Sequence, residues 1–124
     1  MSSEELYSHE IIEWNKVIDF YLDEINIFQE RLVEVAAKNN KNSVSVSIEH
    51  FQNQFIAQKD SLQILKHDIH GQEEDLAAEI KKANKIFDMD IVDNQFYIRE
   101  RLQMAEKIFI ETKHSFYRFL AKVF

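Results

Sequence analysis

The sequence contains no cysteine, no proline and only one glycine in 124 residues. Without cysteine the chain has no disulfides, no thiol nucleophile and no Cys-based zinc site. Glycine and proline together make up about 12% of ordinary chains, because tight turns depend on their backbone conformations. β-Sandwiches, β-barrels and doubly wound α/β folds need many such turns. The composition therefore predicts a few long elements, and long helices are the first interpretation.

Long apolar runs and an excess of basic residues are also missing. No run approaches the ~18–20 residues that a membrane-spanning helix needs. The acidic start at Met1–Glu5 lacks the basic-then-apolar layout of a secretory signal. The 22 acidic and 15 basic residues give a net charge of −7, whereas binding to a phosphate backbone depends on Lys and Arg. We therefore expect a cytoplasmic protein that binds neither membranes nor nucleic acids.

Apolar residues recur at alternating spacings of four and three, which is the spacing of the a and d positions of packed helices. This pattern predicts a first helix at about 3–38, with Ser2 and Glu5 as a capping box at its start. The segment Asn39–Ser43 is the best break in the chain, because Asn and Ser favour caps and turns. The a and d positions of this first helix are Tyr7, Ile11, Trp14, Ile18, Tyr21, Ile25, Phe28, Leu32 and Val35.

The second predicted helix covers about 45–85. Its a and d positions are Ile48, Phe51, Phe55, Gln58, Leu62, Leu65 and Ile69. Beyond Ile69, the apolar residues Leu76, Ile80, Ala83 and Phe87 indicate a register displaced by four residues. Gly71 lies at this join. We favour one long helix, because only His70-Gly71 resembles a turn; the alternative is a four-helix bundle in which the chain turns at Gly71.

The third predicted helix covers about 91–123 and follows a connection in which Asp88, Asp90 and Asp93 each offer an N-cap side chain. Its a and d positions are Ile91, Gln95, Ile98, Leu102, Ala105, Phe109, Thr112, Phe116, Phe119 and Val123. The polar residues Gln58, Gln95 and Thr112 at such positions are expected to set the alignment of the helices. Short connections predict antiparallel neighbours. The fold is therefore predicted as all-α, an up-down-up bundle of three long helices with coiled-coil-like packing, in a single domain over 1–124.

A second set of apolar residues on the third helix lies outside the a and d positions. We call it the outer stripe, and it consists of Phe96, Tyr97, Met104, Ile110, Tyr117 and Phe124. A helix with two apolar faces is covered on two sides or leaves one face exposed. We therefore expect a non-enzymatic interaction or self-assembly module whose outer stripe binds a second copy, as a homodimer, or a helical protein partner.

Two alternatives remain at the level of sequence. His67, His70 and Glu74 follow one another at helical spacing, and two imidazoles with a carboxylate could bind a divalent transition metal weakly. His114 is a more distant further ligand. The other alternative is a small ligand bound in the bundle core. No resident cofactor is expected, and catalysis is not expected either, because a single glycine excludes the glycine-rich phosphate loops and the Gly-x-Ser-x-Gly nucleophile turn.

Overall fold

A computed structural model describes residues 2–82 and 86–124 of the chain. It contains three helices, α1 (Ser3–Lys38), α2 (Asn42–Ile80) and α3 (Met89–Val123), and no strand in those residues. Helix α2 packs along both α1 and α3, whereas α1 and α3 approach each other closely at few points. The predicted all-α bundle of three long helices is confirmed. Within the same residues, no helix has the length and apolarity that crossing a membrane requires.

The helix ends follow local capping chemistry. Ser2 Oγ accepts a hydrogen bond from the backbone N–H of Glu5 at 3.2 Å, as the predicted capping box requires of its first residue. Asn39 donates from its side chain to the carbonyl of Val35 at 3.1 Å and closes α1 where the break is predicted. Of the three candidate aspartates, Asp88 caps α3, and its Oδ1 accepts from the N–H of Asp90 at 2.9 Å.

Side-chain pairs give the direction and alignment of the helices. Lys66 pairs with Asp19, and Lys59 donates to Asn26 at 2.9 Å, so α2 descends as α1 rises. In α3, Arg99 binds Glu10 and Lys113 binds Glu24, and both pairs are separated by 89 residues in the sequence. Helices α1 and α3 are therefore parallel. A residue of α1 lies at the same height along the bundle as the α3 residue 89 positions later.

One hydrophobic core runs through the three helices at the predicted a and d positions. Toward the C-terminal ends of α1 and α3 this core contains a group of phenylalanine rings: the centroid of Phe116 lies 5.2 Å from those of Phe28 and Phe55, and Phe51 contributes a further ring at 5.3 Å. Trp14 is also buried in this core. A core between only three helices has few positions across its width. Aromatic rings bury the largest apolar area per residue and therefore stabilise such a narrow core effectively.

The helix boundaries differ slightly from those predicted. Helix α2 begins at Asn42, before the predicted start near residue 45, and α3 begins at Met89 because Asp88 caps it there. Helix α2 ends at Ile80, followed by a turn at Lys81. The predicted end at residue 85 and the predicted core position Ala83 lie outside the described residues.

The predicted change of register after Ile69 is wrong. The side chains of Gln72, Leu76 and Glu79 are buried, whereas Ile80 is 53% exposed, so the alternation of four and three continues unshifted through α2. The amide of Gln72 satisfies its hydrogen-bonding groups on α3, which lets a polar residue occupy a core position. The helix is continuous through Gly71, as favoured, and the alternative turn at that residue is excluded.

Replacing Gly71 with alanine should stabilise the protein. A Cβ atom added at Gly71 would meet no atom within 4 Å, and alanine is favoured over glycine in a helix by about 1 kcal/mol. We expect Gly71→Ala to raise the melting temperature by roughly 4 °C. The matched control is Ala78→Gly, one heptad later on the same exposed line of α2, which should lower it by a similar amount. A destabilised Gly71→Ala variant would contradict a straight, unobstructed helix at this point.

Candidate interaction surface

All six residues of the outer stripe are exposed, with between 46% (Ile110) and 59% (Tyr97 and Phe124) of their surface accessible. They do not form one continuous stripe. At 100° per residue they fall on two lines of α3, and the exposed polar residues Glu100, Lys107 and His114 occupy the line between them. The prediction of a single stripe therefore needs correction, because it grouped all the apolar residues outside the a and d positions and did not separate these two lines.

Tyr97 and Met104 lie on the α2 side of α3. The guanidinium of Arg101 lies 5.2 Å from the ring centroid of Tyr97 and donates to Asp68 of α2 at 2.7 Å. Met104 lines a shallow depression together with Ile64 of α2. These two outer-stripe residues thus belong to the face between α2 and α3.

The other four outer-stripe residues lie on the α1 side. The ring centroid of Tyr117 is 5.8 Å from that of Phe28 in α1, and Lys38 Nζ of α1 lies 5.6 Å from the centroid of Phe124. Phe96 and Ile110 share this line because they precede Tyr117 by multiples of seven residues. Seven residues are close to two turns of an α-helix.

Helix α1 adds three exposed apolar residues of its own to this face. Leu6, Phe20 and Ile27 are 51%, 55% and 54% exposed and lie on one line of α1, at separations of fourteen and seven residues. That line lies next to the one carrying Glu10 and Glu24, the residues that bind α3. We call the combined surface the α1–α3 face, consisting of Leu6, Phe20, Ile27, Phe96, Ile110, Tyr117 and Phe124.

Sequence reasoning missed the α1 half of this surface. The signal was present, because Phe20 and Ile27 are one heptad apart and Leu6 is two heptads before Phe20. When α1 is considered alone, these three residues are only scattered apolar side chains on its polar side. Their significance follows from the placement of α1 parallel to α3, which puts both lines on one side of the bundle.

The other two faces carry fewer large apolar side chains. On the face between α1 and α2, the exposed residues Ile12, Val33, Ile56 and Ile80 are interspersed with polar residues such as Asp19 and Gln63. The face between α2 and α3 exposes Ile64, Tyr97, Met104 and Ile108. The α1–α3 face exposes seven, four of them aromatic. It therefore carries more exposed large apolar side chains than either of the other two faces of the described bundle.

Two ion pairs bridge α1 and α3 beneath this surface. The guanidinium of Arg99 donates through two nitrogens to the carboxylate of Glu10, with Nη2 2.6 Å from Oε1. Lys113 Nζ lies 3.1 Å from Glu24 Oε2. The hydrogen bond to Glu24 raises the pKa of Lys113, and the hydrogen bond to Glu10 raises that of Arg99, against the opposing effect of burial. Both cations therefore stay protonated at neutral pH.

A buried amide network joins the Glu10 pair to α2. Gln72 Nε2 donates to Gln95 Oε1 at 2.9 Å and to the carbonyl of Ile91 at 2.9 Å. Gln95 Nε2 in turn donates to Glu10 Oε1 at 3.0 Å, and Asn94 donates to Gln72 Oε1 at 2.8 Å. This network links α1, α2 and α3 at one height, which fits the alignment role expected of Gln95.

Gln58 and Thr112 form a second polar contact at core positions. Gln58 Nε2 donates to Thr112 Oγ1 at 2.7 Å between α2 and α3, again at two positions expected to set alignment. A depression of about 180 Å³ lies beside Gln58 on the surface between these helices, below the roughly 300–1,000 Å³ of typical ligand sites. A small ligand inside the bundle core stays a prediction.

The histidine cluster does not assemble into a metal site. His70 Nε2 lies 2.8 Å from Glu74 Oε1, and both side chains are two-thirds exposed. His67 lies on a neighbouring, outermost line of α2. Between residues 2 and 82 and between 86 and 124, no three His, Asp or Glu side chains are placed to hold one metal ion. The structure thus gives no support to the predicted site at His67, His70 and Glu74, or to His114 as a further ligand.

Comparison with protein-family models, with curated proteins and with solved structures finds no match to this chain. Any function has to be inferred from the side chains themselves. The feature with the clearest chemical meaning is the α1–α3 face, with its charged groups already paired and its apolar groups exposed.

The Glu10 pair should make stability depend on pH in the acid range. Burial raises the pKa of Glu10, but hydrogen bonds from Arg99 and Gln95 and the Arg99 charge outweigh it, so the pKa falls below its ordinary 4.5. A lowered carboxyl pKa stabilises the fold above the unfolded value, and this contribution disappears as the pH falls through the folded value. The melting temperature of the wild type should exceed that of Glu10→Gln at pH 7, and this difference should shrink between pH of about 5 and about 3.

The matched control is Glu13→Gln, which removes an exposed carboxylate one turn away on the same helix. Its melting temperature should track that of the wild type more closely over the whole pH range. A Glu10→Gln difference that stays constant down to pH of about 3 would contradict a stabilising ionised Glu10.

Proposed function

We propose that this protein is a non-enzymatic interaction module that binds a second copy of the chain or a helical protein partner through its α1–α3 face. The single observation that carries this proposal is the alignment of Leu6, Phe20 and Ile27 on α1 with four apolar residues of α3 on one side of the bundle. Contiguous exposed apolar surfaces of this kind are typical of protein–protein interaction sites.

The dimensions of the face suit a stable interface. Helix α1 has 36 residues, which corresponds to a length of about 54 Å at 1.5 Å per residue. Two adjacent helices of about 10 Å diameter make the face about 20 Å wide. The resulting area of roughly 1,000 Å² exceeds the ~800 Å² that each partner contributes to a standard interface.

The side chains also supply a driving force. Full burial of a large apolar side chain contributes about 1.5–3 kcal/mol, and the seven residues are about half exposed in the free bundle. The ion pairs of Glu10 with Arg99 and of Glu24 with Lys113 bring no unpaired charge into the contact. Covering the face therefore removes apolar surface from water while these four charged groups keep their partners.

Photo-crosslinking in the cell that makes the chain tests this proposal directly. A benzophenone amino acid replaces Ile27 on the α1–α3 face in one variant and Val33 in a second. Val33 is a matched control because it lies on the same helix, is 66% exposed and belongs to the α1–α2 face. We expect covalent protein adducts from position 27 and few from position 33. Equal yields at the two positions, or none at either, would contradict the proposal.

A charge placed on the face should prevent the adduct. Ile110→Asp, combined with the crosslinker at position 27, should reduce the adduct yield at least tenfold because an aspartate would be desolvated in the contact. Ile110 is 46% exposed, so the substitution should change the free energy of unfolding of the free bundle by about 1 kcal/mol or less. Ile64→Asp on the α2–α3 face, where Ile64 is 58% exposed, is the control and should leave the adduct intact.

A further inference from the structure

We infer that the partner on the α1–α3 face is a second copy of this chain, related by a two-fold axis parallel to the helices so that α1 of each copy faces α3 of the other. This inference rests on the proposed function and adds the identity and orientation of the partner. It follows from the heights of the residues along the bundle and from the distribution of charge on the two helices.

The two lines of the α1–α3 face match each other height by height. The 89-residue separation of the Glu10–Arg99 and Glu24–Lys113 pairs fixes the correspondence. Adding 89 to the number of each α1 residue gives, to within one residue, an apolar residue of α3 at the same height in three cases. These pairs are Leu6 with Phe96, Phe20 with Ile110 and Ile27 with Tyr117. The one height at which both lines are polar is that of Glu13 and Gln103.

A two-fold axis along the helices preserves this match. Such an axis turns the bundle around without changing any residue's height, and it brings α1 of one copy opposite α3 of the other. Phe20 would then meet Ile110 of the second copy, and Ile27 would meet its Tyr117. Glu13 would meet Gln103, so a carboxylate faces an amide rather than an apolar group. Only Glu34, level with Phe124, faces an apolar residue, and it does so near the end of the bundle.

A two-fold axis perpendicular to the helices fits less well because it reverses the heights and packs α1 against α1. Placing Phe20 opposite its own copy brings Glu13 opposite Ile27. Shifting the copies until Phe20 faces Ile27 brings Glu13 opposite Glu34, which sets two carboxylates against each other. Each antiparallel arrangement of the α1 line thus sets Glu13 against an apolar residue or another carboxylate, whereas the parallel arrangement sets it against the amide of Gln103 and leaves only Glu34 against an apolar residue.

The distribution of charge favours the same orientation. Residues 1–38 carry nine acidic and three basic side chains, so α1 repels a second α1. Helix α3 carries five acidic and six basic side chains, so α1 meets much less repulsion when it faces α3. Around the proposed axis, Glu10 and Arg99 of the two copies would alternate at one height and form a closed ring of opposite charges.

Light scattering over a concentration series tests whether the partner is a second copy. We expect twice the 14.8 kDa chain mass at micromolar concentration. The Ile110→Asp variant should raise the dimer dissociation constant at least 100-fold, because the two-fold axis places the new charge in the interface twice. Ile64→Asp should leave the constant unchanged. A wild type that stays monomeric throughout overturns this inference.

Engineered cysteines test the orientation, since the chain has no cysteine of its own. Two single variants, Phe20→Cys and Ile110→Cys, are prepared separately, mixed and treated with a mild oxidant. The parallel arrangement predicts a mixed disulfide between the two variants, at least fivefold more abundant than the disulfide that either forms alone. Predominant Phe20→Cys homodimers would overturn the parallel arrangement and indicate α1 against α1, with Phe20 opposite its own copy.

The crosslinking experiment separates failure of this inference from failure of the proposed function. Adducts at position 27 with the mass of two chains support both. A monomeric protein whose position 27 crosslinks to a different protein overturns the second copy and supports the docking surface. A monomeric protein with no adduct at position 27 overturns both.

Discussion

The alignment of α1 with α3 depends on one partly buried contact, the hydrogen bond from the amide of Gln95 to the carboxylate of Glu10. Arg99 holds the same carboxylate through two nitrogens, and Gln72 holds the oxygen of Gln95 from α2. A shift of α3 by one turn would leave the buried amides of Gln72 and Gln95 without these partners, which costs about 1–3 kcal/mol for each amide. An apolar core alone would tolerate such a shift more easily.

This alignment determines the character of the surface. Because α1 and α3 are parallel and held at a fixed height, apolar residues spaced by heptads on each helix meet on one side of the bundle. Helix α2 packs closely along both neighbours, whereas α1 and α3 meet through aromatic contacts in the core, such as Phe28 with Phe116, and through two ion pairs nearer the surface. The result is a broad face with paired charges at its centre line and exposed rings on either side. Further helices packed on this face would cover its exposed apolar side chains.

The sequence was sufficient for the fold because its signals are local. Spacings of four and three located three helices, and the lack of turn residues excluded most other folds. The register of α2 beyond Ile69 was predicted wrongly, since Gln72 and Glu79 occupy core positions that hydrophobicity does not mark. The hydrogen bonds that make Gln72 tolerable come from α3, and no local pattern contains them.

The surface was only partly predictable for a related reason. Periodicity identified apolar residues on α3 outside the core but could not assign Tyr97 and Met104 to one neighbour and Ile110 and Tyr117 to the other. That assignment depends on where α1 and α2 lie around α3. The contribution of Phe20 and Ile27 depends likewise on the parallel alignment. Helical spacing thus finds candidate side chains, and tertiary alignment decides which of them act together.

Hydroxyl-radical footprinting of the unmodified protein over a concentration series tests the central claim most directly. It reports the exposure of individual side chains and compares two faces of the same helix in one experiment. If a second copy covers the α1–α3 face, oxidation of Phe20 and Tyr117 falls as the concentration rises, while oxidation of Tyr97 and Met104 on the α2–α3 face stays constant. Equal oxidation of both faces at every concentration, or protection of Tyr97 and Met104 instead, would contradict the account.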